Sequence, residues 1–237
     1  MLETQNLHYR DLDLALTGFM AFDPAAGERR PGVLVVHGGA GLDDHAKGRA
    51  RRIAEHGYVV FACDMYGDGV AGNRDKVLAC ISTLRSDPGI LCRRAEAGID
   101  VLRSHPMVDG RLAAVGYCFG GMTVLELARN GTNLVGAVSV HGSLETSQHV
   151  HPGAIKARIL VCHGALDPHV PPDHVRTFEE EMIRVQADWQ LFIYGTAMHG
   201  FTHETATGQQ RGVKYDALTD QRSSKAIQTF FSEIFSY

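Results

Sequence analysis

Short apolar runs alternate along this chain with longer segments of helical character, and this alternation restricts the fold more than any other feature. The runs predicted as strands cover residues 32–36, 58–63, 112–117, 134–140, 159–162 and 190–194. Most of them are continuously apolar, which is typical of parallel strands that are covered on both faces. Because helical segments separate the strands, we predict an α/β protein with a mostly parallel central sheet and helices on both of its faces.

The helical segments cover residues 43–55, 93–104, 121–129, 172–185 and 223–235. No internal repeat, low-complexity tract or linker rich in Pro, Gly or Ser divides the chain, so we predict a single domain over residues 1–237 without a large separate cap. The longest excursion from the sheet is residues 65–88, which contains a helix predicted at 74–84. This segment could wall a substrate pocket.

Charge and composition exclude several classes of protein. The formal net charge is −4, so no basic surplus is available for phosphates, and nucleic acid is not expected as a partner. The first residues lack the features of a secretory signal, and no apolar run is long enough to span a membrane. A cytoplasmic location without membrane partners is therefore expected.

The five cysteines indicate thiols rather than a disulfide framework or a zinc cluster. Their number is odd, their spacings are irregular and they include no Cys-x-x-Cys pair, which argues against both kinds of site. The thirteen histidines likewise show no convincing ligand spacing. Neither a metal nor a cofactor is expected.

A nucleophile elbow is indicated where a predicted strand ends and a predicted helix begins. The sequence there is Gly116-Tyr117-Cys118-Phe119-Gly120-Gly121, with cysteine in the position of the usual serine. The glycines two residues before and after Cys118 let a strained turn form without collisions and expose the sulfur. The alternative is a buried structural cysteine beside glycines that pack a helix on a strand.

The other two members of a catalytic triad follow in the order nucleophile, acid, histidine, each in a loop after a predicted strand. Asp167 follows the strand at 159–162, and His199 follows the strand at 190–194. His199 would take the proton of Cys118 and later return one to a leaving alcohol, while Asp167 would fix the imidazole tautomer.

Two alternatives concern the acid. Asp167 could be a turn residue that merely precedes Pro168, and Glu145, after the strand at 134–140, is a rival acid. We favour Asp167 because Gly164 and Pro168 shape a tight loop around it.

An oxyanion hole needs two backbone donors. The N–H of Phe119, which follows the nucleophile, is one candidate, and the loop that contains Gly38 and Gly39 is the candidate source of the other. This loop could also be a simple strand-to-helix turn. Three histidines, His37, His141 and His163, each precede a glycine at a predicted strand end, where they would line the site or cap the sheet.

From about residue 32 to the C-terminus the chain resembles the dienelactone hydrolase family of the α/β-hydrolase superfamily. The Gly-Tyr-Cys-Phe-Gly-Gly elbow carries the resemblance most specifically, together with Asp64-Met65-Tyr66-Gly67, His163-Gly164 with the following acid, and His199-Gly200-Phe201. The resemblance implies that Cys118, Asp167 and His199 form the catalytic triad of an enzyme that cleaves cyclic or linear esters without a cofactor.

The chain departs from this family pattern at two positions. Gly38 stands where the family has a glutamate that helps to ionise the cysteine. His203 stands four residues beyond the histidine, where the family has an arginine for the substrate carboxylate; Arg74 and Arg85 have no clear match to the second arginine.

The leading hypothesis is therefore a cysteine-dependent esterase or lactonase that forms an acyl-enzyme on Cys118. A non-catalytic small-molecule-binding protein on the same fold is the alternative, since the fold does not determine the function. A third hypothesis is redox sensing by an exposed Cys118 thiol. The substrate and the oligomeric state are left open by the sequence.

Overall fold

Strands and α-helices alternate along the chain, as the sequence predicts. The computed structural model describes residues 1–210 and 212–236, apart from the side chain of Ala26. By the packing of its Cα atoms the chain divides into two compact units, Met1–Val115 and Gly116–Tyr237. A single domain over residues 1–237 stays a prediction.

The first unit begins with an antiparallel hairpin and continues with parallel strands. In chain order its elements are β1 (Glu3–Asp11), β2 (Leu14–Phe22), β3 (Arg30–Val36), α1 (Asp44–Ala54), β4 (Val59–Cys63), α2 (Arg74–Ser86), α3 (Pro88–Ser104) and β5 (Val108–Tyr117), which ends in the second unit. β3 and β4 are parallel neighbours, whereas β2 pairs antiparallel with both β1 and β4. α1 and α3 pack against these strands.

The second unit contains three parallel strands. Its elements are α4 (Phe119–Arg129), β6 (Gly136–Val140), β7 (Arg158–Gly164), α5 (Pro172–Arg184), β8 (Trp189–Tyr194) and α6 (Ala217–Ile234). β7 lies between β6 and β8 and is parallel to both. β6 and almost all of β7 are buried, as expected for parallel strands covered on both faces. The carboxyl ends of these strands meet at one edge, so the loops that follow them can bring side chains together.

The observed elements differ from the prediction mainly at the N-terminus and at helix starts. The hairpin of β1 and β2 is not predicted, because most side chains of β1 are polar and exposed. α3 begins at Pro88 rather than at residue 93, since the Asp87 side chain accepts a hydrogen bond from the Ile90 N–H and caps the helix. Asp216 caps α6 in the same way, so this helix begins at Ala217, six residues before the predicted start.

The excursion predicted at residues 65–88 contains a helix, as expected. This helix is α2, which packs against α3. Within α2 only Leu84 is buried. Within the described part of the chain, no helix is both long and apolar enough to cross a bilayer.

Candidate active site

Cys118 occupies a strained turn between β5 and α4. Its φ of 55° and ψ of −113° lie outside the regions that residues with a side chain normally adopt. Gly116 permits this turn, because a Cβ at that position would lie 1.9 Å from the carbonyl oxygen of Gly120. α4 begins at the next residue without a side-chain cap, so the positive end of its dipole lies beside the cysteine. This is the turn that the sequence predicts.

The structure brings the three predicted triad residues together within the second unit. The Nε2 atom of His199 lies 3.1 Å from the Sγ atom of Cys118, and its Nδ1 atom lies 2.8 Å from Oδ2 of Asp167. Both distances are hydrogen-bond distances. With Nδ1–H donating to the carboxylate, Nε2 faces the sulfur and is placed to exchange a proton with it.

The loop after β7 holds Asp167 against the loop that contains His199. A Cβ at Gly164 would lie 2.5 Å from the carbonyl oxygen of Ala197, so only glycine permits this close approach. The Asp167 side chain is fully buried, and its Oδ1 atom accepts a hydrogen bond from the backbone N–H of His169 at 2.8 Å. Burial opposes the charged carboxylate, but the hydrogen bond and charge of His199 outweigh burial and lower the pKa of Asp167.

The contacts of His199 favour its protonated form. Burial by itself would lower its pKa, but the hydrogen bonds with Asp167 and Cys118 together raise the pKa from 6.5 to about 10. An imidazolium beside a thiol favours the thiolate. The geometry therefore favours a thiolate–imidazolium pair in which a buried carboxylate orients the imidazole.

The rival acid lies elsewhere. Oε2 of Glu145 is 3.1 Å from Nδ1 of His174, and its side chain is largely exposed. Glu145 therefore contacts a histidine of α5, whereas Asp167 contacts His199.

Further histidines surround His199 in the second unit. The His141 and His169 rings lie 5.3 Å and 5.0 Å from it, centroid to centroid. His163 is buried at the end of β7, and burial lowers its pKa. The His203 ring lies 5.9 Å from that of His141. Across residues 1–210 and 212–236, however, no three His, Cys, Asp or Glu side chains are grouped so that they could hold a metal ion.

All five cysteines lie in the described part of the chain, and none forms a disulfide. This confirms the prediction of thiols. Cys118 is partly exposed, whereas Cys63 and Cys162 are fully buried and burial raises their pKa. Of these three cysteines, only Cys118 combines exposure with a cationic neighbour.

The candidate oxyanion loop lies in the first unit. Gly38 and Gly39 follow β3, and the buried His37 holds them: its Nδ1–H donates to the Gly38 carbonyl at 2.7 Å, and its Nε2 accepts from the Met65 N–H at 3.1 Å. Burial lowers the pKa of His37, in agreement with a neutral ring. The Tyr66 hydroxyl donates to the Gly39 carbonyl at 3.2 Å, so side chains fix this loop.

Sequence reasoning missed part of the site. His141 was a candidate only because it precedes a glycine at a strand end, and Thr202 was not a candidate at all. In the structure the Nδ1 atom of His141 lies 3.1 Å from the backbone N of Cys118, and its Nε2 atom lies 2.9 Å from Oγ1 of Thr202. The sequence shows only a histidine directly after an apolar strand, and this pattern does not reveal that the ring contacts Cys118 and Thr202.

Comparisons with known proteins agree with this geometry. The model of the dienelactone hydrolase family matches residues 15–235. Two solved structures, m3DLH and a dienelactone hydrolase-like promiscuous phosphotriesterase from metagenomic libraries, are each 38% identical to this chain, with 99% of both chains covered and TM-scores of 0.94. A Bradyrhizobium protein, named as a probable 2-oxo-3-(5-oxofuran-2-ylidene)propanoate lactonase, is 28% identical over 76% of this chain and 77% of its own. These similarities confirm the predicted α/β-hydrolase fold.

Proposed function

The chain belongs to the dienelactone hydrolase family and is a hydrolase, and we propose that it cleaves a carboxylic ester or lactone through Cys118, His199 and Asp167. The observation that carries this proposal is the unbroken chain of contacts from the Cys118 sulfur through His199 to the buried Asp167 carboxylate. The names of similar proteins, a lactonase among them, support the substrate class.

In the first half of the reaction the Cys118 thiolate attacks the carbonyl carbon and forms a tetrahedral oxyanion. The carbon–oxygen bond to the leaving alcohol then breaks, and the alcohol oxygen takes the proton of the His199 imidazolium. The product is an acyl-cysteine thioester. For a lactone, the released alcohol stays attached to the acyl group.

In the second half, water attacks the thioester while His199 removes a proton from it. The carbon–sulfur bond breaks, the free acid leaves, and the thiolate–imidazolium pair is restored. Asp167 keeps Nδ1 protonated throughout, so that Nε2 always faces the reacting atoms. No metal or cofactor takes part in this scheme.

The oxyanion would be bound by backbone N–H groups. The Phe119 N–H is proposed as one donor because it is the first residue of α4 and directly follows the nucleophile. The Gly38–Gly39 loop is proposed as the source of the second. Support comes from its fixed conformation and from the room at Gly39, where a Cβ would meet only Ile81 of α2, at 3.7 Å.

The test is hydrolysis of p-nitrophenyl acetate and dihydrocoumarin by wild type, Cys118→Ala and a control, Cys92→Ala in α3. We expect Cys118→Ala to lose at least about 1,000-fold in kcat, as removal of a triad nucleophile does, with its thermal unfolding unchanged. Cys92→Ala should retain activity. Undiminished turnover by Cys118→Ala would refute the proposal.

The alternative, a non-catalytic binder on the same fold, predicts something different. Neither compound would then be turned over by wild type above the background rate, although ligands could still bind. Residues 65–88 as a pocket wall, the cytoplasmic location and the absence of nucleic-acid and membrane partners stay predictions.

A second candidate activity is phosphotriester hydrolysis by the same nucleophile. The solved structure titled as a promiscuous phosphotriesterase is 38% identical over 99% of this chain. Paraoxon hydrolysis by wild type and by Cys118→Ala decides it: release of p-nitrophenol that disappears in the variant supports the activity, and no release by wild type contradicts it.

A further inference from the structure

His141 is a buried polar residue for which the proposed reaction scheme has no role. It directly follows β6, and only 1% of it is exposed. Its φ of 41° lies in the left-handed region, which residues with a side chain rarely adopt. A strained backbone next to an active site indicates that something in the site requires this conformation.

The two ring nitrogens of His141 contact the segments that carry the nucleophile and the base. Nδ1 accepts a hydrogen bond from the backbone N–H of Cys118 at 3.1 Å. Because Nδ1 is an acceptor, the proton of the neutral ring lies on Nε2, which donates to Oγ1 of Thr202 at 2.9 Å. Thr202 is also buried and lies three residues beyond His199.

The N–H of Cys118 is shared between two acceptors, since it also lies 3.0 Å from the carbonyl oxygen of Val140. Both acceptors belong to the end of β6, so this strand fixes the peptide plane that precedes the Cys118 side chain. Cys118, which donates this N–H, has a φ of 55°, and His141, whose ring accepts the hydrogen bond, has a φ of 41°; both values are positive. The two strained turns therefore support each other through this contact.

We propose that His141 is a positioning residue that holds the Cys118 turn and the loop after His199 at a fixed separation. This inference rests on the proposed function, because it concerns the transfer of a proton between Cys118 and His199. The ring also packs edge-on against Phe201, with centroids 5.0 Å apart, so packing and hydrogen bonds fix its orientation together. A small displacement of either loop would lengthen the 3.1 Å contact between Nε2 and Sγ.

Four substitutions test the two hydrogen bonds of the His141 ring one at a time. His141→Asn places its amide oxygen near the position of Nδ1 and tolerates a positive φ, so it keeps the contact with Cys118. His141→Gln places its amide nitrogen near Nε2 and keeps only the contact with Thr202. Thr202→Val removes the hydroxyl at nearly equal volume, and Thr202→Ser is its matched control.

The measurements are kcat and KM for p-nitrophenyl acetate, the rate at which iodoacetamide alkylates Cys118, and the midpoint of thermal unfolding. We expect His141→Gln and Thr202→Val to lower kcat by about 10- to 100-fold, the effect of a displacement of about 1 Å, with KM changed by less than about twofold. Alkylation of Cys118 should slow in His141→Gln. Thr202→Ser should keep most of the wild-type kcat. His141→Asn, which loses the contact with Thr202, should lose kcat as Thr202→Val does, but its alkylation rate should stay near that of wild type because the contact with the Cys118 N–H is kept.

Wild-type kcat in folded His141→Gln and Thr202→Val would overturn the inference. So would equal losses of kcat in Thr202→Val and Thr202→Ser, or equally slowed alkylation in His141→Asn and His141→Gln, either of which would indicate a purely structural role. If the His141 variants fail to fold, the comparison of Thr202→Val with Thr202→Ser decides alone. Full activity in Cys118→Ala would instead refute the proposed function, so the two failures are distinguishable.

Discussion

At the scale of single residues, the proposed reaction depends on how Cys118 is ionised, since Gly38 offers no side chain that could help. The structure instead pairs His199 with a buried Asp167. The hydrogen bonds with Asp167 and Cys118 overcome burial and raise the pKa of His199 to about 10. The raised pKa favours the protonated imidazole, and an imidazolium beside Cys118 favours the thiolate.

This ionisation predicts how thiol reactivity depends on pH. A raised pKa means that His199 is protonated at every pH below about 10, so the thiolate should persist well below the ordinary cysteine pKa of about 8.5. We expect iodoacetamide to alkylate Cys118 at a nearly constant rate from about pH 6.5 to 8.5, after correction for the background reaction. In His199→Asn the rate should instead rise with pH and level off above about pH 8.5.

Site-resolved mass spectrometry measures this rate for Cys118 and, as an internal control, for the half-buried Cys80 of α2. Identical pH profiles of Cys118 in wild type and His199→Asn would contradict the ion pair.

The contacts among Cys118, His199 and Asp167 could be predicted from sequence because each of these residues lies at a position that the fold prescribes. Cys118 has its glycines, and Asp167 and His199 each follow a strand. His141 could not be assigned, because its contact with the Cys118 N–H depends on a positive φ that no sequence pattern around residue 141 reveals. Thr202 was missed for the same reason, since its partner is 61 residues away in sequence.

At the scale of elements, the turn from β5 into α4 makes the strictest demand on the sequence. Gly116→Ala would bring a Cβ to 1.9 Å from the backbone of Gly120, which cannot be relieved by rotating a side chain. We expect a loss of more than about 2 kcal/mol in the free energy of unfolding, as for other overpacked buried sites, together with loss of activity. Urea titration followed by circular dichroism measures this.

Gly48→Ala in α1 is the matched control. No atom lies within 4 Å of the Cβ that would be added there, and alanine is favoured over glycine inside a helix, so a gain of about 0.5–1 kcal/mol is expected. Equal stability of both variants would contradict the steric argument at Gly116.

A buried charged cluster joins α4, α5 and the segment after β6. The Arg129 guanidinium lies 2.9 Å from Glu126 and 2.6 Å from Glu181, and it also donates to the Leu144 carbonyl at 2.8 Å. Arg129→Ala would leave two buried carboxylates without their cation, so we expect the free energy of unfolding to fall by about 3–5 kcal/mol. Thermal and urea unfolding measure the change.

The control for this cluster is Arg176→Ala on α5. Arg176 and its partner Asp173 are both largely exposed, so its loss should cost less than about 1 kcal/mol. A similar cost for both arginine variants would show that burial adds nothing to the Arg129 cluster.

The sequence predicted some of these elements correctly and missed others. The buried strands were found because continuous apolar runs mark them, whereas β1 was missed because its side chains are polar and exposed. The start of α3 was predicted too far along the chain, because the apolar periodicity is clear only from residue 93. The helix begins earlier, where Asp87 caps it. For α3 and α6, capping residues therefore locate the helix start better than periodicity does.

At the scale of the whole molecule, the order of strands and helices was enough to predict an α/β protein with a mostly parallel sheet. The prediction of an α/β-hydrolase also needed the elbow at Cys118 and the family resemblance, and the family comparison agrees. The identity of the substrate does not follow in the same way. It depends on loops whose side chains differ from the family pattern, at Gly38 and His203, and no periodicity predicts how such loops fold. The hydrolase class is therefore established at this scale, whereas the acyl group is not.

In the proposed reaction the acyl group passes through the sulfur of Cys118, and intact-protein mass spectrometry of acid-quenched turnover detects this intermediate. With p-nitrophenyl acetate in excess, we expect wild type to gain the mass of one acetyl group, mapped by peptide fragmentation to Cys118. Cys118→Ala should gain none. Turnover by wild type with the acetyl group on another residue, or with the same adduct in Cys118→Ala, would contradict the proposed reaction.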